Sequence, residues 1–276
     1  MFHNDINNSS KIMIAFTDGA ITKENSSGSS IIGECEMNPL TGGFKLFSPK
    51  IFSRVAKHST NNEAELNGIL MAIENLPKNN TIPHLIFSDS EYCIKSLSNW
   101  IFNWYKTYSY NRKNGIFIPT MTSSSNSQVK NVKLICTIIH YIAYNNISLR
   151  FINVRGHKNP NKNEDVIIQA DYYKKSNNIS INEIEARFCC LYNMYIDKIA
   201  SDTSIRVREG VYDSQFNEKT YDLIKGRITV REHNEEFNTD EIITFKNEMA
   251  DDSEYNKFCI LNHAVMEKYK KCIGVD

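Results

Sequence analysis

Five short stretches of the chain have the apolar pattern of strands. Nearly continuous apolar runs at 11–16 and 84–87 predict buried strands, and the runs around 31–32 and 44–52, with a Gly-Gly turn between them, predict a joined pair. A fifth strand is predicted at 147–154. After the first three strands, helical segments alternate with the remaining ones, so the pattern predicts an α/β fold.

Segments with helical spacing lie between and after these strands. The clearest spans about 60–76, where apolar residues recur at helical intervals between a Ser-Thr cap and a proline. Two further helices are predicted at 91–105 and 129–145. The stretch 108–127 between them contains Gly, Pro and a Ser run and is predicted to be irregular.

The pattern changes in the last third of the chain. A capping box at Ser180 and Glu183 predicts a helix that continues to about residue 200. Beyond it, the sequence predicts strands at 207–212 and 221–232 and a helix at 254–272. We therefore expect three parts: a domain over residues 1–204, a polar insertion within it at about 158–179, and a small C-terminal extension over 205–276.

Composition places the chain among ordinary globular proteins. Its 41% hydrophobic and 11% aromatic content excludes a disordered or fibrous chain. No apolar run approaches the roughly 18 residues that span a bilayer, so no membrane association is expected. The polar N-terminus lacks the apolar core of a signal peptide. We therefore expect a soluble intracellular protein of the cytoplasm or nucleus.

The net charge of zero, from 32 basic and 32 acidic residues, hides an uneven distribution. Residues 1–200 hold 21 basic and 16 acidic side chains, a net of +5, and residues 201–276 hold 11 and 16, a net of −5. No acidic residue occurs between Tyr92 and Asn163, whereas ten basic residues and several aromatic ones do. Such a stretch suits a polyphosphate backbone, but charge alone leaves a solvated positive face equally open.

Three acidic residues stand out by their positions. Asp18 and Asp89 each follow an apolar strand, and Glu65 lies in the first turns of the helix after the third strand. In an α/β sheet, ligands gather at the carboxyl ends of strands. Converging carboxylates repel one another and raise each other's pKa, and a divalent cation such as Mg²⁺ removes that penalty. A single acid of this kind is more often a helix cap or an exposed charge, but three in these positions favour a shared site.

Six short motifs occur in an order that resembles ribonuclease H of type 1, a family that cuts the RNA strand of RNA–DNA hybrids. The motifs are FTDGA (16–20), TNNEAEL (60–66), FSDSEY (87–92), VKNV (129–132), RGH (155–157) and NMYIDKIA (193–200). The resemblance covers roughly residues 11–203. It implies a mixed five-stranded RNase H-like sheet, three antiparallel strands followed by parallel ones, with helices on both faces.

The resemblance also implies a metal site. The family's four metal-binding carboxylates match Asp18, Glu65, Asp89 and Asp197. They would hold two Mg²⁺ ions, with Mn²⁺ as a possible substitute, in a two-metal-ion cleavage. His157 matches the family's mobile histidine, which assists product departure, although a plain loop histidine remains the alternative.

Contacts to an RNA–DNA hybrid are implied in the same way. Asn61 and Asn62 match residues that touch the minor groove, where the 2′-OH distinguishes RNA from DNA. The remaining matches fall into three groups: Thr60 and Asn131 in a phosphate pocket, Tyr92, Trp100 and Trp104 in an aromatic DNA channel, and Lys106, Arg112 and Lys113 on or near a basic protrusion.

Two departures from the family pattern matter. The phosphate pocket usually has an Arg where this chain has His58, and a neutral His is a weaker, pH-dependent phosphate partner. In addition, Asp197 lies 40 residues after His157, where about ten is usual for the family. Asp171 is therefore a rival for the fourth carboxylate. We prefer Asp197, because Asn193 stands four residues before it, as in the family helix.

The leading hypothesis is a metal-dependent endonuclease that acts on RNA–DNA hybrids. The alternatives are a catalytically silent nucleic-acid-binding module of the same fold and a DNA-cutting nuclease of the same superfamily, such as a resolvase or a transposase-like enzyme. Residues 205–276 match no motif. We expect them to cap the catalytic core or to bind a protein partner.

Overall fold

A computed structural model describes residues 12–23, 25–37, 44–57, 59–113, 116–208, 243–246 and 260–275. Its strands are β1 (Met13–Thr22), β2 (Asn25–Met37), β3 (Phe44–Lys57), β4 (His84–Ser88), β5 (Ser109–Lys113), β6 (Ile116–Thr120), β7 (Leu149–Asn153) and β8 (Ile243–Lys246). Its helices are α1 (Asn61–Asn75), α2 (Glu91–Lys95), α3 (Ile101–Trp104), α4 (Val132–Asn145), α5 (Asn163–Asn177), α6 (Glu183–Arg208) and α7 (His263–Ile273). A π turn (Ser96–Trp100) joins α2 to α3, so the two form one helical segment.

The main sheet has the strand order β7-β4-β1-β2-β3-β8. β1, β2 and β3 are antiparallel neighbours, and β4 and β7 continue the sheet in parallel from β1. This arrangement confirms the mixed five-stranded sheet expected from the sequence. The extension adds a sixth strand, since β8 pairs in parallel with β3, and the sequence pattern had not predicted it.

Helices cover both faces of the sheet, as expected. Successive strand residues point to opposite faces. Ala15 and Ile86 belong to a core shared with α1, α4 and α7, whereas Ile14, Phe16 and Phe87 belong to a second core shared with α6. None of the described helices is both long enough and apolar enough to cross a membrane.

α1 lies unusually close to the strands beneath it. Its cap is Thr60, whose hydroxyl accepts a hydrogen bond from Glu63 N at 3.3 Å, as the sequence predicted. A Cβ at Gly19 would lie 2.3 Å from Glu65 N, and one at Gly28 would lie 2.3 Å from Ala64 O. Any larger residue at these glycines would push α1 away from the sheet. The two glycines thus determine how near Glu65 comes to β1.

The structure corrects several predicted elements. The stretch predicted to be irregular contains the two-stranded hairpin β5–β6. Helix α6 continues to Arg208, so the strand predicted at 207–212 is wrong at its start, because the helical pattern persists beyond residue 200. The strand predicted at 221–232 lies outside the described residues. The predicted polar insertion contains helix α5.

The cap of α6 also differs from the predicted one. Asn182 Oδ1 accepts a hydrogen bond from Glu185 N at 2.9 Å, and Glu185 Oε2 accepts one from Asn182 N at 3.0 Å. The reciprocal pair is therefore Asn182 and Glu185 in place of Ser180 and Glu183. Asn and Ser cap helices equally well, so the sequence pattern could not choose between the two registers.

Candidate active site

Three carboxylates meet at one edge of the sheet, close to where β4 ends. Glu65 projects from α1, and Asp89 directly follows β4. Asp18 lies within β1 and not at its end as expected, because β1 continues to Thr22 in its pairing with β2. One carboxylate oxygen from each of the three lies within 4.8 Å of the others. Asp18 is 5% exposed and Glu65 is 6% exposed, so water is largely excluded from both.

Burial, together with neighbouring charges, raises the pKa of all three side chains. Burial raises the pKa of Asp18 well above its ordinary value, and the charges of Asp89 and Asp197 raise it further. Burial and the neighbouring charges of Asp18 and Asp89 act in the same way on the pKa of Glu65. Burial also raises the pKa of Asp89, although the Asn193 amide and His157 partly oppose the shift.

The cluster fits a hard divalent cation. Asp18 Oδ1 accepts a hydrogen bond from Gly19 N at 2.7 Å. Glu65 Oε2 is buried and, within the described part of the chain, receives no hydrogen bond. The charges that shift the pKa of Asp18 are those of carboxylates, with no Lys or Arg among them. Buried carboxylate oxygens without a cationic partner are the ligands that Mg²⁺ and similar ions prefer.

Helix α6 brings two further side chains to the cluster. Asn193 is buried, and its Nδ2 donates to Asp89 Oδ2 at 3.3 Å. Asp197, one turn later, is near enough for its charge to raise the pKa of both Asp18 and Asp89. Its side chain is 37% exposed, so it lies at the open rim of the cluster.

The rival carboxylate occupies a different place. Asp171 is exposed on α5, and its charge is absent from those that shift the pKa of Asp18, Glu65 or Asp89. His157, by contrast, lies beside Asp197, with its Nδ1 3.5 Å from Asp197 Oδ2. The imidazole is 81% exposed. The geometry thus groups His157 with Asp197 and leaves Asp171 apart.

The structure adds a functional position that the sequence analysis did not single out. A Cβ at Gly156 would lie 2.3 Å from Asp89 Oδ2. Any side chain here would displace the carboxylate from the cluster. Gly156 belongs to the RGH motif and precedes the matched histidine, so the sequence marks its position. Only the folded chain shows that it approaches Asp89.

The residues matched to nucleic-acid contacts lie on the surface beside α1 and α2. Asn61 is exposed and Asn62 partly exposed in the first turn of α1. Asn131 has a left-handed backbone at the start of α4, with φ of 57°. Thr60 uses its hydroxyl as the helix cap described above. His58 lies outside the described residues.

The three predicted aromatic residues form one ladder. The rings of Tyr92 and Trp100 are 6.1 Å apart, and those of Trp100 and Trp104 are 5.6 Å apart. Tyr92 Oη donates to Lys130 O at 3.2 Å, which joins the ladder to the segment before α4. Trp104 is only 8% exposed and packs in the core, so it supports the outer two rings from below.

The predicted basic residues surround the hairpin. Arg112 and Lys113 are exposed on β5, and Lys106 is exposed in the turn before it, where its Nζ donates to Asn103 Oδ1 at 3.2 Å. These three residues, which the resemblance places on or near a basic protrusion, therefore lie on and beside a two-stranded hairpin. A cavity of about 510 Å³ lies elsewhere, between α2, β7, α5 and α7, and none of the four carboxylates lines it.

Comparisons with known proteins agree with the motif order. A ribonuclease H of Dechloromonas aromatica is 31% identical over 137 residues, which cover 48% of this chain and 82% of that protein. A ribonuclease H of Schizosaccharomyces pombe is 38% identical over 102 residues, and the match covers 37% of this chain but only 31% of that protein. This chain therefore spans about a third of the length of the yeast relative.

This chain is also similar to a solved structure and to a family model. The crystal structure of LC9-RNase H1 is similar to this chain with a TM-score of 0.39 and 14% identity, over 61% of this chain and 75% of that one. A model of the RNase H family matches residues 10–171, which is more than half of the sequence. The chain therefore belongs to the RNase H family.

Proposed function

We propose that this protein cleaves the RNA strand of RNA–DNA hybrids with the help of two divalent cations, Mg²⁺ in the first instance. The observation that carries the proposal is the buried cluster of Asp18, Glu65 and Asp89, whose oxygens lie within 4.8 Å of one another. Membership of the RNase H family supports the reaction, and relatives that share it are named ribonuclease H.

By the family resemblance, the four carboxylates would divide between the two ions: Asp18 would serve both, Glu65 and Asp89 would complete one site, and Asp197 would complete the other. When bound, the cations would activate a water for attack on the scissile phosphate and stabilise the departing oxygen. Burial of Asp18 and Glu65 fits this role, because it excludes water and strengthens electrostatic interactions inside the site.

Other residues of the chain orient these groups. The amide of Asn193 holds Asp89 by its Nδ2, and Gly156 leaves room for the same carboxylate. His157 lies at the rim with its ring in solvent, where it can donate a proton to the departing oxygen and regain one from water.

Substrate recognition would use the surface next to the carboxylates. Asn61 and Asn62 offer amides for minor-groove edges and the 2′-OH, and Tyr92 and Trp100 offer partly exposed rings to the DNA strand. The stretch from 92 to 163 contains no acidic residue and supplies basic side chains for phosphates, although Lys95 pairs with Glu91 and Lys158 with Asp165. These contacts favour a hybrid over a protein or small-molecule substrate.

The fourth carboxylate can be identified by mutation. The family match ends at residue 171, on the rival Asp171, whereas the charge of Asp197 acts on the cluster and its side chain meets His157. We favour Asp197, because a metal ligand must reach the cluster. Asp197→Asn should lower the cleavage rate at least about 100-fold, since loss of a mere outer partner of a metal ligand costs 10- to 100-fold. The matched variant Asp171→Asn should stay within about twofold of the unaltered protein, and the reverse ranking would contradict the assignment.

One assay tests the function itself. The full chain is incubated with Mg²⁺ and end-labelled RNA–DNA hybrid, double-stranded DNA or double-stranded RNA, and the products are separated by length. We expect cuts only in the RNA strand of the hybrid, and EDTA should abolish them. Cleavage of DNA would indicate the DNA-cutting nuclease, and binding without cleavage would indicate the silent module.

A further inference from the structure

The loop that carries His157 is bonded to helix α5. Asp165, in the first turn of α5, accepts two hydrogen bonds from this loop. Its Oδ1 accepts from Lys158 Nζ at 3.0 Å, and its Oδ2 accepts from Asn159 N at 3.1 Å. These bonds to Lys158 and Asn159 hold the pKa of Asp165 below its ordinary value, so the carboxylate stays ionised. The loop is thus fixed on the C-terminal side of His157.

A second bond fixes the N-terminal side. Gln169 Oε1 accepts from Arg155 N at 3.0 Å, and Gln169 is fully buried. Gln169 stands four residues after Asp165, so the two side chains lie on the same face of the helix. Successive turns of α5 therefore hold the chain immediately before and immediately after His157.

The strand that leads into the loop is held by the same helix. Asn177 Oδ1 accepts from Asn153 N at 2.9 Å, and Asn177 Nδ2 donates to Asn153 O at 2.8 Å. Tyr172 Oη donates to Asn153 Oδ1 at 2.5 Å. α5 thus contacts the segment along all four of its turns, from the end of β7 to the residues after His157.

The backbone of His157 explains why such support matters. Its φ is 55°, in the left-handed region that residues with a Cβ seldom occupy. Conformations of this kind persist where surrounding contacts hold them. The ring itself is 81% exposed, so packing does not determine its position. The place of the imidazole beside Asp197 is therefore set by the backbone of the loop.

We propose that α5 is a brace for the loop over residues 155–159, and that Asp165 and Gln169 are positioning residues that hold His157 beside Asp197. The inference rests on the proposed function for its catalytic part. Its structural part concerns the loop alone and can be measured without any substrate.

Hydrogen exchange tests the structural part. Asp165→Ala should speed amide exchange at 155–159 about tenfold or more, because local opening then costs less. The matched control is Glu164→Ala, which removes the neighbouring exposed acid from the same helix turn and should leave the loop unchanged. Asp165→Leu, which keeps about the same size but has no hydrogen-bond acceptor, serves if the alanine variant folds poorly. Unchanged exchange in a folded Asp165 variant would overturn the brace.

Kinetics test the catalytic part. With RNA–DNA hybrid, Asp165→Ala should lower kcat about three- to tenfold with little change in KM, a smaller loss than full removal of a proton-transfer group. In a His157→Ala background the same substitution should have no further effect, since residues that act through one group are not additive. An equal loss in both backgrounds would refute a positioning role. If the unaltered chain cleaves no hybrid, the proposed function fails, and hydrogen exchange still decides on the brace.

Discussion

Asp18 and Glu65 couple stability to pH at the scale of single residues. Burial and neighbouring charge raise the pKa of each carboxyl in the folded chain. The folded state then binds more protons than the unfolded one, so stability falls as pH rises above about 4, the range in which unfolded carboxyls ionise. A bound divalent cation offsets this loss, because it neutralises the ionised cluster.

Glu65→Gln should therefore stabilise the metal-free protein while it impairs metal binding. We expect its melting temperature to exceed that of the unaltered chain by several degrees at pH 8, with a smaller gain at pH 5, since fewer of the clustered carboxyls are ionised there. Mg²⁺ should raise the melting temperature of the unaltered chain more than that of the variant. Glu63→Gln, on the same helix but only partly buried, is the control. A lower melting temperature for Glu65→Gln at pH 8 would contradict the effect.

The sequence was sufficient to find the carboxylates but not the residues that serve them. Asp18, Glu65 and Asp89 stand next to apolar strand and helix patterns, so their convergence followed from the fold. Gly156 acts by close approach to Asp89, and Asn193 acts by a hydrogen bond across 104 residues of sequence. Neither the approach of Gly156 nor the hydrogen bond of Asn193 can be predicted from the local sequence pattern.

At the scale of elements, the cap of α6 gives a direct comparison. Asn182 caps the helix by a reciprocal pair with Glu185, while Ser180 is exposed before it. Asn182→Ala should lower the free energy of unfolding by about 1 kcal/mol, the usual cost of a lost N-cap. Ser180→Ala should change it by less than about 0.5 kcal/mol. Urea denaturation of both variants measures the difference, and a larger effect of Ser180→Ala would mean that the cap lies in the other register.

α5 shows why one element escaped prediction. Its buried face contains Gln169, which is fully buried, together with Val166 and Tyr173. Ile167 and Ile168, by contrast, are 61% and 44% exposed. An amphipathic helix is predicted from apolar residues on its buried face and polar ones on its exposed face. The two exposed isoleucines and the buried glutamine of α5 reverse this pattern. The reason lies in tertiary structure, because Gln169 bonds the backbone of another segment.

The hairpin β5–β6 was missed for a related reason. All five residues of β5 are exposed, so no alternation of buried and solvated positions marks the strand. Its stability comes from pairing with β6 and from side-chain bonds such as that between the hydroxyls of Ser109 and Thr120, which are 2.9 Å apart. Polar pairs of this kind also occur in loops, so the sequence alone could not distinguish an exposed hairpin from an irregular loop.

At the scale of the whole molecule, the described part of the extension packs on the family domain. Tyr269 on α7 is fully buried, and its Oη donates to Leu97 O at 2.7 Å. Leu261 N donates to Tyr108 Oη at 3.0 Å, and β8 extends the sheet. A cut after residue 204 would thus remove core residues along with acidic charge. The boundary at 204/205 and a protein partner for the extension remain predictions.

The contribution of α7 can be measured with one substitution. Tyr269→Ala should lower the free energy of unfolding by about 3–5 kcal/mol, the range for large aromatic truncations in a core. That is a large share of the 5–15 kcal/mol typical of whole domains. Lys268→Ala, exposed on the same helix, should change it by less than about 0.5 kcal/mol. A small effect of Tyr269→Ala would show that α7 adds little to the core.

The two hydrogen bonds between Asn177 and the backbone of Asn153 affect whether copies of the protein can associate through β7. β7 is the edge strand on its side of the described sheet. An edge strand has unpaired backbone N–H and C=O groups, which can bond to an extended segment of another chain. The Asn177 amide engages both backbone groups of Asn153, as a neighbouring strand would. α5, which supports the loop of His157, therefore also blocks this end of β7 from pairing with a strand of another copy of the protein.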